Sequence, residues 1–228
     1  MATISYKSIH RSDKKESFVV SGIMYVYQIL FALFGFVFIY MDNVGGIIHF
    51  IVGLAFLGPT LFIYFYEGMK EGDREFKKLN YKKLNTLERG NLKKVSYYKG
   101  ILYVIPYVAV GVLLALIILI TDVQVIKMIT LWLYLPATKM GQAFNWIGFV
   151  SQTDKATKIT TYTWFLDKGV VFGIIVGYVL ICALIFWLGY MKKVHEARDQ
   201  FSAFITEIVE NDRYRADLGS GNSNTELK

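Results

Sequence analysis

The side chains in this 228-residue sequence best suited to moving protons, attacking a carbonyl or holding a metal are few. They are His10, His49 and His195, the single Cys182, and the carboxylates Asp122, Asp154 and Asp167. Their spacing argues against joint chemistry. The sequence has no His-Glu-x-x-His pair, no nucleophile with a base beside it, no phosphate-cradling glycine loop and no dinucleotide fingerprint. No catalytic residue, metal ligand or cofactor is expected, and enzymatic activity has no support here.

The elements around these residues explain their isolation. Phe18–Met41, Asn43–Tyr66, Gly100–Thr121 and Gly169–Met191 are apolar stretches of 22 to 24 residues with no Asp, Glu, Lys or Arg. A helix crosses hydrocarbon about 30 Å thick with about 20 apolar residues. The sequence is 54% hydrophobic and 16% aromatic, with that apolarity gathered into the four blocks, so the class is integral membrane. The first block exceeds the length of a signal-peptide core and should remain as an anchor. His49 sits about one turn inside span two, as an interfacial or helix-packing group. Gln28 suits a helix–helix hydrogen bond, and Cys182 suits packing.

Charge sets the orientation. Placing the N-terminus, Glu67–Lys99 and the C-terminal tail in the cytoplasm puts 20 of the 25 basic residues there, as the positive-inside bias requires. The same placement accounts for the net charge of +7 without a nucleic-acid partner. The expected fold is an all-α integral membrane protein with four transmembrane helices as two antiparallel hairpins, amphipathic cytoplasmic helices and an extracytoplasmic interfacial or re-entrant segment. Its parts are a cytoplasmic segment 1–17, a first hairpin 18–66, a basic loop 67–99 and a second pair 100–191 containing the outer segment 122–168. A cytoplasmic amphipathic helix 192–217 and a disordered tail 218–228 complete it. The expected location is the plasma membrane, as a multi-pass protein with both termini cytoplasmic.

Within 122–168, the runs Met128–Thr138 and Met140–Thr153 flank Lys139. A fifth span there would carry a lysine near mid-membrane, at about 2.5–3.5 kcal/mol. Two shorter elements on or dipping into the outer surface fit better. Trp132, Tyr134, Trp146, Tyr162 and Trp164 supply rings suited to the headgroup level.

Three further patterns concern packing and lipid. Gly169, Gly173 and Gly177 form a smooth strip on span four, expected against another helix of this chain, with a partner chain as the alternative. Pro59, in Gly58-Pro59-Thr60, and Pro106 should kink or locally open spans two and three. Lys77, Lys78, Lys82, Lys83, Lys93 and Lys94 could meet anionic inner-leaflet lipids, or serve only as topology determinants with solvated side chains.

These features lead to an accessory or interaction protein without catalytic chemistry that contacts a larger membrane assembly. Its partners would be the bilayer and a membrane protein or a second copy of itself. The alternative is a small transporter, channel or lipid-handling protein, with an apolar or zwitterionic substrate passing beside the two prolines.

Overall fold

The computed structural model describes residues 13–39, 45–86, 95–121, 123–153 and 160–221. Helix α1 is Asp13–Ile39, α2 Gly46–Thr86, α3 Tyr98–Ile120, α4 Gln124–Leu133 and α5 Leu135–Ala143. Strands β1 (Ile147–Thr153) and β2 (Thr160–Leu166) precede the last helix, α6 (Lys168–Gly221). Among the described residues, α1, α2, α3 and α6 are long and apolar enough to cross a membrane. Their outward faces carry exposed Phe34, Phe62, Leu113 and Leu184. Apolar surface on that scale suits a lipid environment.

Length separates the helices into two kinds. α3 has 23 residues, close to one bilayer. α2 has 41 residues and α6 has 54; at 1.5 Å per residue these are about 60 and 80 Å long, roughly twice the hydrocarbon thickness or more. Each therefore continues past any bilayer it crosses. Glu67–Thr86 is thus no separate helix but the unbroken extension of span two. Leu218–Gly221, expected to be disordered, belongs to the end of α6.

α2 and α6 make the most extensive helix contact of the fold. A side chain at Gly68 would collide with the Phe186 carbonyl, one at Gly72 with the Tyr190 carbonyl, and one at Gly189 with the Phe65 carbonyl. Gly68 and Gly72 step forward along α2 as Phe186 and Tyr190 step forward along α6, so the helices run in the same direction. Gly-x-x-x-Gly at such a crossing lets backbones touch, and dispersion then holds helices that lipid would not drive together. Gly173 and Gly177, by contrast, meet nothing within 4 Å, and Gly169 meets only the Asp167 carboxylate at 3.8 Å. The expected intrachain contact of that strip is corrected: the chain's own close packing uses Gly68, Gly72 and Gly189.

The segment between α3 and α6 differs from expectation in two ways. Pro136 stands at the start of α5, where it cannot donate to the preceding turn, so the chain breaks at Tyr134 into helices of 10 and 9 residues. Both are too short to span hydrocarbon. They pack in among the long helices: Leu131, Tyr134 and Leu135 are fully buried, and Leu135 fills the space beside Gly35 of α1. Tyr134 is therefore a core residue rather than a headgroup-level anchor. Trp132 is half-buried and donates its indole N–H to the Ala32 carbonyl at 2.6 Å.

Asn145, at φ 58, then turns the chain toward β1, in a left-handed conformation that asparagine tolerates better than most residues. β1 and β2 pair antiparallel from Ile147↔Leu166 to Thr153↔Thr160. This hairpin is the one departure, among the described residues, from a helical chain. Its signal was the β-branched and aromatic run Thr160-Thr161-Tyr162-Thr163-Trp164-Phe165. Tyr162 and Trp164 lie on β2, with side chains outside the description, while Trp146 is exposed and stacks on Phe144 with centroids 4.9 Å apart.

Candidate functional site

Ionisable groups gather where α1, α2 and α3 meet. Glu67, Glu71 and Glu75 recur every fourth residue of α2, one position before the Gly68–Gly72 contact, and all three are buried. Glu16 of α1, with no exposed surface, joins them. A buried carboxylate needs a partner, because desolvation costs several kcal/mol per ion. The partners are supplied locally. Arg74 Nη2 lies 2.6 Å from Glu71 and 3.5 Å from Glu16. Lys78 lies 3.5 Å from Glu75 and 3.6 Å from Glu16. Lys99 of α3 lies 3.1 Å from Glu75, and Lys70 lies 3.4 Å from Glu67.

The Tyr103 hydroxyl completes the cluster, 2.7 Å from Glu75 and 3.1 Å from Glu16. A phenol has one proton to donate, so two carboxylates compete for it. Arg74 Nη2 is close enough for charge attraction, yet neither it nor Arg74 Nε makes a hydrogen bond. Glu16 Oε1 and Glu71 Oε2 lack hydrogen bonds as well. Among the described residues four acidic side chains and four cations meet here, as an ionic clasp across three helices.

From Tyr103 a polar column continues into the bundle. Pro106 has no N–H, so the Leu102 carbonyl loses its helical donor; Ser17 of α1 supplies one at 2.6 Å. One step further, Ser21 donates to the Tyr103 carbonyl at 3.0 Å and accepts from the Tyr107 N–H at 3.1 Å. It thereby bridges two groups that a regular helix joins directly. Tyr25 donates to the Tyr107 carbonyl at 2.8 Å, and Gln28 donates to the Tyr107 hydroxyl at 3.0 Å. Tyr64 donates to the Met24 carbonyl at 2.9 Å. The Tyr134 hydroxyl ends the series 3.4 Å from that of Tyr25. Burial pushes the Tyr134 phenol up to about 12, opposed by the Tyr25 hydrogen bond, so it keeps its proton at neutral pH.

The positions singled out from the sequence are distributed as follows. Pro59 lies inside α2 with its ring exposed, and Thr60 beside it bonds back to the Phe56 carbonyl. Lys78 turns into the ionic clasp rather than toward lipid, and Lys77 pairs with Asp73. The side chains of Lys82 and Lys83, and all of Lys93 and Lys94, lie outside the described residues. Asp167 caps α6 by accepting from the Val170 N–H at 3.3 Å, while Asp122 and Asp154 lie outside the described residues. Cys182 is buried in the core. His49 is buried and lies 3.3 Å from the Lys139 ammonium.

Sequence reasoning missed Glu16, Glu67, Glu71, Arg74, Glu75 and Tyr103 because it read Glu67–Lys99 as amphipathic cytoplasmic helices apart from the spans and did not join their acidic residues to α1 and α3. The available signal was the shared four-residue period of Glu67, Glu71 and Glu75 with Gly68 and Gly72, which continues the helix of span two. No group of three or more His, Cys, Asp or Glu side chains suited to a metal gathers among the described residues. Compared with known protein families, with curated proteins and with solved structures, the chain matches none.

Proposed function

We propose that this chain is an accessory or interaction protein of the plasma membrane, crossing it four times with both termini cytoplasmic and contacting a larger membrane assembly through α6. The supporting observation is the placement of its glycines. Those that bring its own helices together are filled by neighbours, whereas Gly173 and Gly177 face open space on α6. A smooth helical strip in lipid is the usual ground for a second helix to approach. The test is crosslinking followed by gentle affinity purification. Co-purification of a membrane partner, or of a second copy, that is lost in Gly173→Leu or Gly177→Leu supports the reading. A wild-type chain that runs only as a monomer with nothing attached removes it.

The polar column favours a second reading, a small transporter for an apolar or zwitterionic solute. Ser21, Gln28, Tyr107 and Tyr134 are buried polar groups in consecutive layers, and polar groups within a membrane bundle often mark a route. Reconstitution into liposomes with a panel of solutes and lipids tests it, and absence of flux in either direction excludes it.

A further inference from the structure

We propose that Glu71 binds the proton of a pH-sensitive switch: once protonated it releases Arg74 to Glu16, and the start of α1 is drawn onto the extension of α2. The geometry rests on a shared guanidinium. Arg74 Nη2 lies 2.6 Å from Glu71, three residues back on the same helix, and 3.5 Å from Glu16 of α1. The first pair stays within α2, and only the second joins two helices. Glu71 is also the least compensated member of the clasp. Glu75 has Lys78, Lys99 and the Tyr103 hydroxyl. Glu67 has Lys70 and the Tyr27 hydroxyl, and Glu16 has Lys78 and Tyr103 besides Arg74. Among the described residues the ion pair of Glu71 is with Arg74 alone.

Glu71 Oε2 and Glu16 Oε1 both lack hydrogen bonds, and both residues are buried. Two buried carboxylates thus compete for one cation, and a proton on either relieves both. The neighbouring elements leave that competition in place. From α3, Lys99 and Tyr103 face Glu75. α6 meets Gly68 and Gly72 with the Phe186 and Tyr190 backbone, and its charges beyond, Lys192 and Lys193, pair with Glu196 at 3.7 Å. Burial pushes the Glu71 carboxyl up from 4.5 to about 7; Arg74 and Lys70 oppose the rise, and the Glu16 and Glu67 carboxylates add to it. The folded chain therefore holds a proton that the unfolded chain gives up. Its contribution is complete below 4.5 and is lost as pH rises through about 7. Acid fastens α1, and alkali loosens it. The Arg74 side chain is 24% exposed, which brings water to the site. Ser17 and Ser21 attach α1 to α3 through uncharged groups, so the response belongs to the first turns of α1.

The test uses the full chain in detergent micelles, titrated through neutrality. Infrared difference spectroscopy should show the carbonyl stretch of a protonated carboxyl that is lost with a midpoint at about 7 and is missing from Glu71→Gln. Amide hydrogen exchange, corrected for its intrinsic pH dependence, reads the hold on residues 13–19 of α1. Their protection should fall by about tenfold or more as pH rises, because each unit of proton affinity lost when α1 comes away is a factor of about ten in that equilibrium. In Glu71→Gln, whose amide stands in for the protonated acid, protection should stay high and flat. Histidines, the other side chains that change charge near neutrality, are common to both proteins, so the difference belongs to Glu71. Glu16→Gln keeps the test decisive if that variant does not fold: with the competing carboxylate gone, the infrared midpoint should move to lower pH. A wild type without the carbonyl signal, an unmoved midpoint in Glu16→Gln, or an equal fall in protection in wild type and Glu71→Gln overturns the switch.

Discussion

The Ser17 hydroxyl donates to the Leu102 carbonyl over 2.6 Å, the acceptor that Pro106 leaves without its helical donor. A proline that would weaken α3 in isolation becomes the point at which α1 is attached. Ser21, one turn on, enters the same break.

This relationship predicts a specific coupling. Ser17→Ala should lower stability by about 1 kcal/mol, within the range for hydrogen bonds between membrane helices. Ser21→Ala should cost about 1–2 kcal/mol because it strips a donor and an acceptor together. In Pro106→Ala the new N–H at position 106 reaches Leu102, so the Ser17→Ala penalty should shrink there. Denaturant unfolding of the four proteins in a double-mutant cycle measures the difference, and equal penalties in both backgrounds would contradict the account.

The glycine contacts predict an asymmetry within one sequence. Gly68→Ala and Gly189→Ala force a methyl group onto a backbone carbonyl of the neighbouring helix and should destabilise by about 1–3 kcal/mol or more. Gly173→Ala and Gly177→Ala meet open space and should change stability by less than about 0.5 kcal/mol. Thermal unfolding of the purified variants separates the two groups.

The ionic clasp predicts that single neutralisations harm more than paired ones. Removing one partner leaves a buried charge with fewer counter-charges, at a cost below the roughly 3–5 kcal/mol of a fully broken buried pair because Lys78 and Tyr103 still contact Glu75. Lys99→Met and Glu75→Gln should each reduce folded yield sharply, whereas the double variant should recover much of the loss. Tyr103→Phe, which removes a phenol proton within reach of both Glu16 and Glu75, should cost about 1–3 kcal/mol.

Topology predicts a labelling pattern. Thr86→Cys, Ala156→Cys and Ser220→Cys, each in a Cys182→Ser background, are exposed to an impermeant maleimide. Only the Ala156→Cys protein should react in intact cells, and all three after permeabilisation, because that orientation keeps 20 of the 25 basic residues inside. Labelling of Ser220→Cys in intact cells would place the C-terminal tail outside and reverse the assignment.

The sequence by itself determined the solvent and the scaffold. Four uncharged stretches of 22 to 24 residues are a one-dimensional property, since spanning length and hydropathy need no knowledge of neighbours. The continuous helices α1, α2, α3 and α6 follow from them. Short-range periodicity also carried the Gly-x-x-x-Gly pattern, but not its use: the strip at Gly169, Gly173 and Gly177 and the one at Gly68 and Gly72 look alike on paper.

Only the tertiary structure decided which of these strips is covered, because that depends on which helices stand side by side. It also decided that Glu16, Glu75, Lys99 and Tyr103, separated by up to 87 residues, share one buried cluster. Charge in a sequence reads as solvent exposure, and partners that reverse this reading arrive from other helices. The segment between α3 and α6 shows the same limit. Lys139 argued for a surface position as long as it was considered alone. In the fold Lys139 is buried, with His49 of α2 at 3.3 Å and the two helices in close contact at Gly53.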